Sequence, residues 1–391
     1  MQKSTELLLK LVGNEICGNP LDKAALEQFD ETDYSKALRL ANVHDIANIA
    51  SLAIKDNGIE ISDKLAEKVR LHIINSVWRY ENIKYEFVRI CDVLEKAEIP
   101  FIPLKGAVIR QYYPSPAMRT SCDIDILVRV EDLENAAEHV IKELDYTSNM
   151  KDMHNISLFS QTGVHFELHF DLIERGKFSC ADEVLKNVWD YAYKPDENKS
   201  MYLMKDEMLY FHHIAHMAMH MLCGGCGMRS FLDVWVLNHR KEFDFGRRAE
   251  LLNKGGILKF ASESELLSEV WFGNSVHNET TVIMEDYVLK GGIYGSISNA
   301  AAIKTDSGAR CKSSNSVVNK IWKPYDTLKY WYPKLYGRKY LLPFYEVKRW
   351  FKLIFGGAVT QNAKMNKYRK MVDAEYTESA EKMIENLELN K

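Results

Sequence analysis

The stretches CDIDILVRV at residues 122–130 and GVHFELHFDL at residues 163–172 decide the fold. The first is a short apolar run, which favours a buried strand. The second alternates between apolar and polar residues at every position from 164 on, as a strand with one buried face does. EIPFIPLKG, at residues 98–106, predicts a third strand that ends in a tight turn. With helices expected between the runs, the sequence predicts one small β-α-β-α-β unit.

Helical patterns surround this unit. Apolar residues recur at helical spacing over residues 33–55, with no Pro or Gly inside, which predicts one helix. The pattern resumes after Ser62, where we expect more than one helix before residue 95. From residue 205 onward the pattern is helical again, and residues 207–222 form its strongest segment.

The fold class predicted from these patterns is α+β. A small mixed β-sheet core at residues 78–200 is expected between a helical region at residues 1–77 and a second helical region at residues 201–391. Residues 145–162 are polar, and we expect them to be irregular.

Composition excludes several classes of protein. Of the 391 residues 46% are hydrophobic and 27% are charged, which excludes global disorder. No apolar run approaches the roughly 18–20 residues that cross a bilayer, and residues 1–20 show no signal-peptide pattern. Seven scattered cysteines are too few for a disulfide scaffold, so we expect a cytoplasmic location. The net charge of −4 argues against a protein that coats nucleic acid.

Two carboxylates carry the first chemical signal. Asp123 and Asp125 are two residues apart in a predicted buried strand, so both side chains point to the same face. Neighbouring acids lose solvation there and repel each other, and a divalent cation removes that cost. Mg²⁺ binds through one or two carboxylates and completes its shell with waters and phosphates. The pair therefore predicts a metal site that accepts a phosphate ligand, although a solvated strand edge would give the same pattern.

A third carboxylate is expected from the alternating strand. Glu167 lies on its polar face and could bring an acidic group to the same place. His165 and Asp171 share that face, so either could be the meaningful residue instead. We favour Glu167.

Basic residues and a glycine precede the aspartates. Lys105-Gly106 lies at a predicted strand-to-helix junction, where glycine lets backbone N–H groups approach a phosphate and Lys105 adds a positive charge. Arg119 could bind a phosphate through two parallel hydrogen bonds. Ser121 is grouped with these residues as an expected nucleotide contact. Alternatively, Gly106 is needed only for the turn, and Arg119 is a surface arginine in a loop.

The order of these motifs resembles a known family. PFIPLKGAVIRQYYPSPAMRTSCDIDILV at residues 100–128, with Glu167-Leu168-His169, is similar to the bacterial uncharacterised nucleotidyltransferases, which belong to the superfamily of DNA polymerase β type. HHIAHMAMHMLCGGCGMRSFLDVWVL at residues 212–237 resembles that family's His-rich helix, glycine turn and R-x-x-x-D helix. The likeness is strongest over residues 99–240. Lys105 departs from the superfamily, because a Gly-Ser or Gly-Gly pair is usual at this turn.

The resemblance implies a reaction and a set of roles. A nucleoside monophosphate moves from a nucleoside triphosphate, with Mg²⁺ or Mn²⁺ as cofactor, and pyrophosphate leaves. The acceptor is a hydroxyl or phosphate of an unknown small molecule, peptide or protein. The implied catalytic residues and metal ligands are Asp123, Asp125 and Glu167. The implied triphosphate contacts are Lys105, Gly106, Arg119 and Ser121. The implied acceptor contacts are His169, His216, His220, Arg229 and Asp233.

Two other functions remain open from the sequence. A D-x-D glycosyltransferase also pairs two aspartates, but its fold normally places a longer nucleotide-binding α/β segment before them. A degenerate domain that binds a nucleotide or a partner without catalysis is the second alternative. His44-Asp45 is not read as a phosphohydrolase metal pair, because no histidine precedes it.

A possible zinc site lies in the His-rich segment. His216, His220, Cys223 and Cys226 have spacing compatible with a zinc site. The histidines can equally form one helix face, and the glycines at positions 224 and 225 look like a helix end. We favour the structural interpretation.

Residues 320–370 form a basic, aromatic-rich segment. It holds 13 Lys and Arg against two Asp and Glu, so its net charge is +11. Such segments bind single-stranded nucleic acid or anionic membranes, or pack against an acidic surface of the same protein. We favour packing and keep an anionic partner as the alternative.

Overall fold

The computed structural model describes residues 2–151, 155–173, 179–303, 325, 328, 332, 335, 337–355 and 373–389. It confirms the α+β fold class, with one small five-stranded sheet and helices before and after it. None of its described helices is both long and apolar enough to span a membrane. The cytoplasmic location stays a prediction.

Five helices precede the sheet: α1 (Lys3–Cys17), α2 (Lys23–Leu26), α3 (Glu31–Val43), α4 (Ala47–Asp56) and α5 (Asp63–Lys96). The prediction of a single helix over residues 33–55 is wrong, because the helix is interrupted between α3 and α4. Asp45 lies in the break with φ 56°, in the left-handed region that Asp tolerates better than most residues. The expectation of several helices after Ser62 is also wrong. α5 is one helix of 34 residues, and it contains no Pro or Gly to interrupt it.

The sheet is built from β1 (Phe101–Pro103), β2 (Asp123–Val128), β3 (Thr147–Lys151), β4 (Asn155–Phe159) and β5 (His165–His169), with α6 (Gly106–Ile109) and α7 (Leu133–Leu144) in the connections. Its order is β1-β2-β5-β4-β3, and only the central β2–β5 pair is parallel. The prediction that residues 145–162 are irregular is wrong, since β3 and β4 lie there. β4 buries Ile156 and Leu158 on one face, but its polar neighbours hide this short alternation.

The remaining elements follow the sheet: α8 (Ser179–Leu185), β6 (Ala192–Tyr193), β7 (Leu203–Met204), α9 (Asp206–Cys223), α10 (Met228–Arg240), α11 (Phe245–Lys254), α12 (Leu258–Phe272), α13 (Glu279–Leu289), α14 (Ile297–Ala302), α15 (Leu342–Phe355) and α16 (Ala374–Asn386). Gly224 ends α9 with φ 127°, as expected for a helix end. Much of the basic segment 320–370 lies outside the described residues.

Two hydrophobic cores hold the elements together. One lies between the sheet, α5 and α7, and contains Ile90, Ile126 and Phe166. The other is shared by the helices before and after the sheet. Asn19, which follows α1, donates a hydrogen bond to the carbonyl of Phe272 in α12 at 2.9 Å and so links the two groups of helices. The predicted boundary at residue 77 falls inside α5, and the division into three regions stays a prediction.

Candidate active site

The parallel register of β2 and β5 positions the acidic residues. Asp125 pairs with Glu167 across the two strands, and Asp123 pairs with His165. Residues opposite each other on neighbouring strands project from the same face. The central strand pair therefore presents its carboxylates together, above a core formed by the alternating apolar residues.

Three possible metal donors converge on this face. One ligand atom each from Asp125, Glu167 and His169 lies within 4.8 Å of the other two. His169 Nε2 is 2.8 Å from Asp125 Oδ1 and 3.3 Å from Glu167 Oε2. Two carboxylates and an imidazole form a donor set that suits Mn²⁺ and, with waters completing the shell, Mg²⁺. It is the one such set among the described residues.

Asp123 lies just outside this set. It occupies the same face of β2 as Asp125, but two residues of a strand span about 6.6 Å. Burial and the charge of Asp125 raise the pKa of Asp123 above its ordinary value. The two carboxylates therefore interact electrostatically, while the role of Asp123 as a metal ligand stays a prediction.

Lys105 faces the carboxylates from the turn after β1. Its Nζ is 3.0 Å from Asp125 Oδ1. Its backbone is unusual, with φ 43° and ψ −113°, a conformation that ordinarily requires glycine. A lysine therefore occupies a position whose backbone conformation favours glycine. Backbone strain of this kind is concentrated at functional sites.

The charges of these groups do not balance. Burial disfavours charge on Asp125, but Lys105 and His169 outweigh it and hold the pKa of Asp125 well below its usual range. Burial likewise lowers the pKa of Lys105, and the carboxylates of Asp125 and Asp123 reverse that effect and raise it. Burial lowers the pKa of His169, but its hydrogen bonds to Asp125 and Glu167 outweigh burial and raise it. Three carboxylates thus face two basic groups, Lys105 and His169, in a buried setting. We call Lys105, Asp123, Asp125, Glu167 and His169 the carboxylate site.

Gly106 is required by close packing. A Cβ atom at this position would lie 2.9 Å from Arg119 Nη1 and 3.2 Å from Ser121 Cβ, which is too close. The missing side chain therefore makes room for the residues before β2 rather than for a ligand. The backbone N–H of Gly106 bonds to no acceptor among the described residues, so it can still reach a phosphate.

Arg110 is a site residue that the sequence analysis missed. It is only 6% exposed; its Nε donates to the Gly106 carbonyl at 2.6 Å, and its Nη2 donates to Ser121 Oγ. Its guanidinium also lies 5.5 Å from the centre of the Tyr80 ring. It forms no ion pair with a carboxylate among the described residues, and burial lowers its pKa to about 10. A buried cation without a counterion is costly, so this position favours an anionic ligand.

Arg119 and Asp233 form a buried, bidentate ion pair. Arg119 Nε and Nη2 each donate to the Asp233 carboxylate at 2.8 Å, and Tyr113 adds a hydrogen bond of 2.7 Å. Arg119 is 6% exposed and Asp233 is 1% exposed. The bidentate phosphate contact predicted for Arg119 and the acceptor contact predicted for Asp233 are not supported by this geometry. Their pairing fixes α10 against the segment that leads into β2.

Arg229 and Asp45 form a second pair nearby. Arg229 Nη1 donates to Asp45 Oδ2 and, at 3.0 Å, to the carbonyl of Thr120. Asp45 also accepts hydrogen bonds from Thr120 Oγ1 at 2.7 Å and from Arg79 at 3.3 Å. Asp45 thus joins the α3–α4 break to β2, a role that no local sequence signal indicates. We call Arg119, Asp233, Arg229 and Asp45 the ion-pair cluster.

The His-rich helix α9 faces the same region. His216 Nε2 lies 3.0 Å from His220 Nε2. Burial, together with the charge of Lys105, holds the pKa of His216 well below its ordinary value, so we expect a neutral ring. Cys223 is exposed and Cys226 is buried. Within the part of the chain that the structure describes, these residues do not form a set of three close metal donors, so the zinc site is not supported.

One comparison with known proteins bears on this site. A family model described as "Uncharacterised nucleotidyltransferase" matches residues 30–273, more than half of the chain. The matched range contains both the carboxylate site and the ion-pair cluster. No curated protein and no solved structure matches the chain.

Proposed function

Because the chain belongs to the uncharacterised nucleotidyltransferase family, we propose that it transfers a nucleoside monophosphate from a nucleoside triphosphate to an acceptor, with release of pyrophosphate. The observation that carries the proposal is the convergence of Asp125, Glu167 and His169 beside Lys105. Kinship with enzymes of DNA polymerase β type and a bacterial origin stay predictions from the sequence.

The carboxylate site fits a divalent cation by its chemistry and by its charge. Asp125 and Glu167 would hold the ion, with His169 as a third donor and Asp123 as a further carboxylate. Mg²⁺ or Mn²⁺, when bound, would neutralise charge on the phosphate oxygens during transfer. Three carboxylates and the two basic groups Lys105 and His169 leave a negative charge that such an ion would offset.

The triphosphate has candidate contacts in the adjacent turn. Lys105, Arg110 and the Gly106 N–H lie together between β1 and β2. Transfer of a phosphoryl-type group depends mainly on positioning and on neutralisation of charge, and these three groups supply both. Ser121 holds the Arg110 guanidinium in place and so acts on the phosphate through Arg110.

Glu167 is the best-placed group to receive the acceptor proton. Its side chain is 23% exposed, whereas that of Asp125 is 3% exposed, so an acceptor can approach Glu167 more easily. The protonated Nε2 of His169 can donate to both carboxylates and so orients them. His216, one helix away, is a proposed acceptor contact with a neutral ring.

The direct test is pyrophosphate release. Full-length protein is incubated with each NTP, Mg²⁺ or Mn²⁺ and a panel of acceptors, and NMP-labelled products are sought by mass spectrometry. Asp125→Asn and Glu167→Gln are expected to abolish release, whereas Glu138→Gln, an exposed carboxylate change on α7, is expected to leave it unchanged.

The same assay separates the alternatives. Release of a nucleoside diphosphate from a nucleotide sugar, without pyrophosphate from NTPs, would replace the proposal with a glycosyltransferase. Metal-dependent NTP binding that never yields pyrophosphate with any acceptor would leave only a binding protein.

A further inference from the structure

An open groove lies between α3 and α5, away from the carboxylates. Its volume is about 580 Å³, within the range of ligand sites. Leu38 and Leu65 are buried and form its floor. The polar residues that line it are Thr32, Ser35, Lys36, Arg39, Asn42, Lys68 and His72. No carboxylate is among the lining residues.

The cations of the groove are not neutralised by the protein. Lys36, Arg39 and Lys68 are exposed, and none of them forms an ion pair with any residue that the structure describes. Burial, with the charge of Lys68, lowers the pKa of His72 below its ordinary value. Positive charge that lines a cleft from two walls attracts anions.

The nearest acidic side chains in the sequence are engaged elsewhere. Glu31 accepts hydrogen bonds from the backbone and side chain of Ser62. Asp33 caps the start of α3 by accepting from the backbone N–H of Asp30 at 3.3 Å. Glu67 pairs with Arg70 at 2.7 Å. None of these three carboxylates is among the lining residues, and the charged side chains that line the groove are all cationic.

Helix α5 leads from the groove toward the carboxylate site. Lys68, His72 and Arg79 recur along one face of α5 and span about 16 Å, at a rise of 1.5 Å per residue. Arg79 bonds to Asp45, which follows α3 and is shared with Arg229. Asp45 in turn contacts Thr120, three residues before Asp123.

Three cations on two walls of an open groove suit an extended polyanion better than a single phosphate. Trp78 and Tyr85, on an adjoining face of α5, are 65% and 57% exposed, and exposed aromatic rings offer stacking surfaces to unpaired bases. We infer that the groove between α3 and α5 binds the phosphate backbone of a single-stranded nucleic acid and directs its end toward the carboxylate site as the acceptor. The acceptor role rests on the proposed function, while the binding itself does not.

The experiment measures binding of a fluorescein-labelled single-stranded 12-nucleotide RNA to the full-length protein by anisotropy, over a salt series. The test variant is Lys36→Glu/Arg39→Glu/Lys68→Glu. Its matched control, Lys142→Glu/Lys199→Glu/Lys254→Glu, makes the same change of net charge at exposed lysines outside the groove. We expect the test variant to bind at least about 10-fold more weakly than wild type and to lose about 2 units of log–log salt slope, because three phosphate contacts disappear. The control should stay within about 2-fold of wild type.

Three outcomes would overturn the inference. Wild-type protein does not bind the RNA even at low salt, or the test and control variants bind equally, or UMP competes as well as the unlabelled 12-mer. The last result would mean that the groove takes one phosphorylated molecule rather than a strand.

Asp125→Asn separates this inference from the proposed function. It should keep RNA binding while losing pyrophosphate release. If wild type binds RNA through the groove but releases no pyrophosphate with any NTP, the proposed function fails and the groove remains.

Discussion

The carboxylate site and the ion-pair cluster both bury charge beside β2, but they do so differently. In the ion-pair cluster each arginine meets an aspartate, and Arg119 and Asp233 use two parallel hydrogen bonds. In the carboxylate site three carboxylates face two basic groups, Lys105 and His169. A buried pair whose charges cancel holds elements together, whereas a buried group with a net charge favours binding of a ligand of opposite charge. The contrast separates a structural role from a chemical one in two regions of similar composition.

The largest expected effect tests the unbalanced region. Asp125→Asn removes a proposed metal ligand, and pyrophosphate release should fall by on the order of 10³-fold, as when a preorganised catalytic group is lost. The change also removes the partner of Lys105 and His169, but relief of repulsion from Asp123 offsets part of that loss, so the free energy of unfolding should fall less than it does at Asp233. The measurements are initial rates and urea denaturation. A variant that keeps its rate but loses its stability would reverse the assignment.

The next effect tests the balanced region. Asp233→Asn leaves Arg119 buried without its counterion, and the free energy of unfolding should fall by about 3–5 kcal/mol. Urea denaturation measures it. The double variant Arg119→Met/Asp233→Leu removes both charges and should recover much of the loss. A fall of less than about 1 kcal/mol in Asp233→Asn would mean that the pair is not structural.

The free energy of unfolding should also depend on pH through His44, which lies beside the ion-pair cluster. His44 is fully buried beside the ion-pair cluster; its Nδ1 accepts the Met228 N–H at 3.2 Å, and burial lowers its pKa to about 4. The unfolded chain, with an ordinary pKa near 6.5, binds the proton first as pH falls. Stability is therefore complete above pH 6.5 and falls by about 3 kcal/mol on acidification to pH 4.

Substitution isolates this contribution, because His213 and His216, whose pKa values are also lowered by burial, act in the same direction and His169, whose pKa is raised, acts in the opposite one. His44→Asn, whose Oδ1 can still accept the Met228 N–H, should flatten the stability change between pH 6.5 and 4 by about that amount. Equal pH dependence in both proteins would exclude His44 as its source.

The smallest effect concerns the strained turn. Lys105→Gly and Lys105→Ala both remove the ammonium group beside Asp125, so both should lose pyrophosphate release. Only glycine accepts φ 43° without strain, so Lys105→Gly should be more stable than Lys105→Ala by about 1 kcal/mol. Thermal denaturation of the two variants measures the difference. An alanine variant of equal stability would show that the turn relaxes.

Local patterns predicted the part of the site that lies on strands. Alternation predicted that Glu167 lies on the polar face of its own strand, and the parallel pairing of β2 and β5 brings it beside Asp125. Arg110 was missed because its burial depends on α5, which lies far away in the sequence. Asp45 was missed for a similar reason, since its partners are Arg229 and Thr120.

Errors in the fold arose where local signals conflict with packing. β3 is mostly polar and β4 is short, so they look like a loop until β3 pairs with β4 and β4 pairs with β5. The α3–α4 break contains no Pro or Gly, and long-range hydrogen bonds of Asp45 stabilise it instead. The partners of Arg119 could not be read from its neighbours, because Asp233 is 114 residues away.

The continuity of α5 has a mechanical consequence. This helix is about 51 Å long at 1.5 Å per residue, and its N-terminal part lines the groove while its C-terminal part packs in the core of the sheet. Arg79 and Tyr80 lie between these ends and contact Asp45 and Arg110. One unbroken helix therefore carries the wall of the groove, the contacts to Asp45 and Arg110, and part of the core beneath the sheet, so a substitution that bends α5 between residues 72 and 79 would alter the spacing of all three.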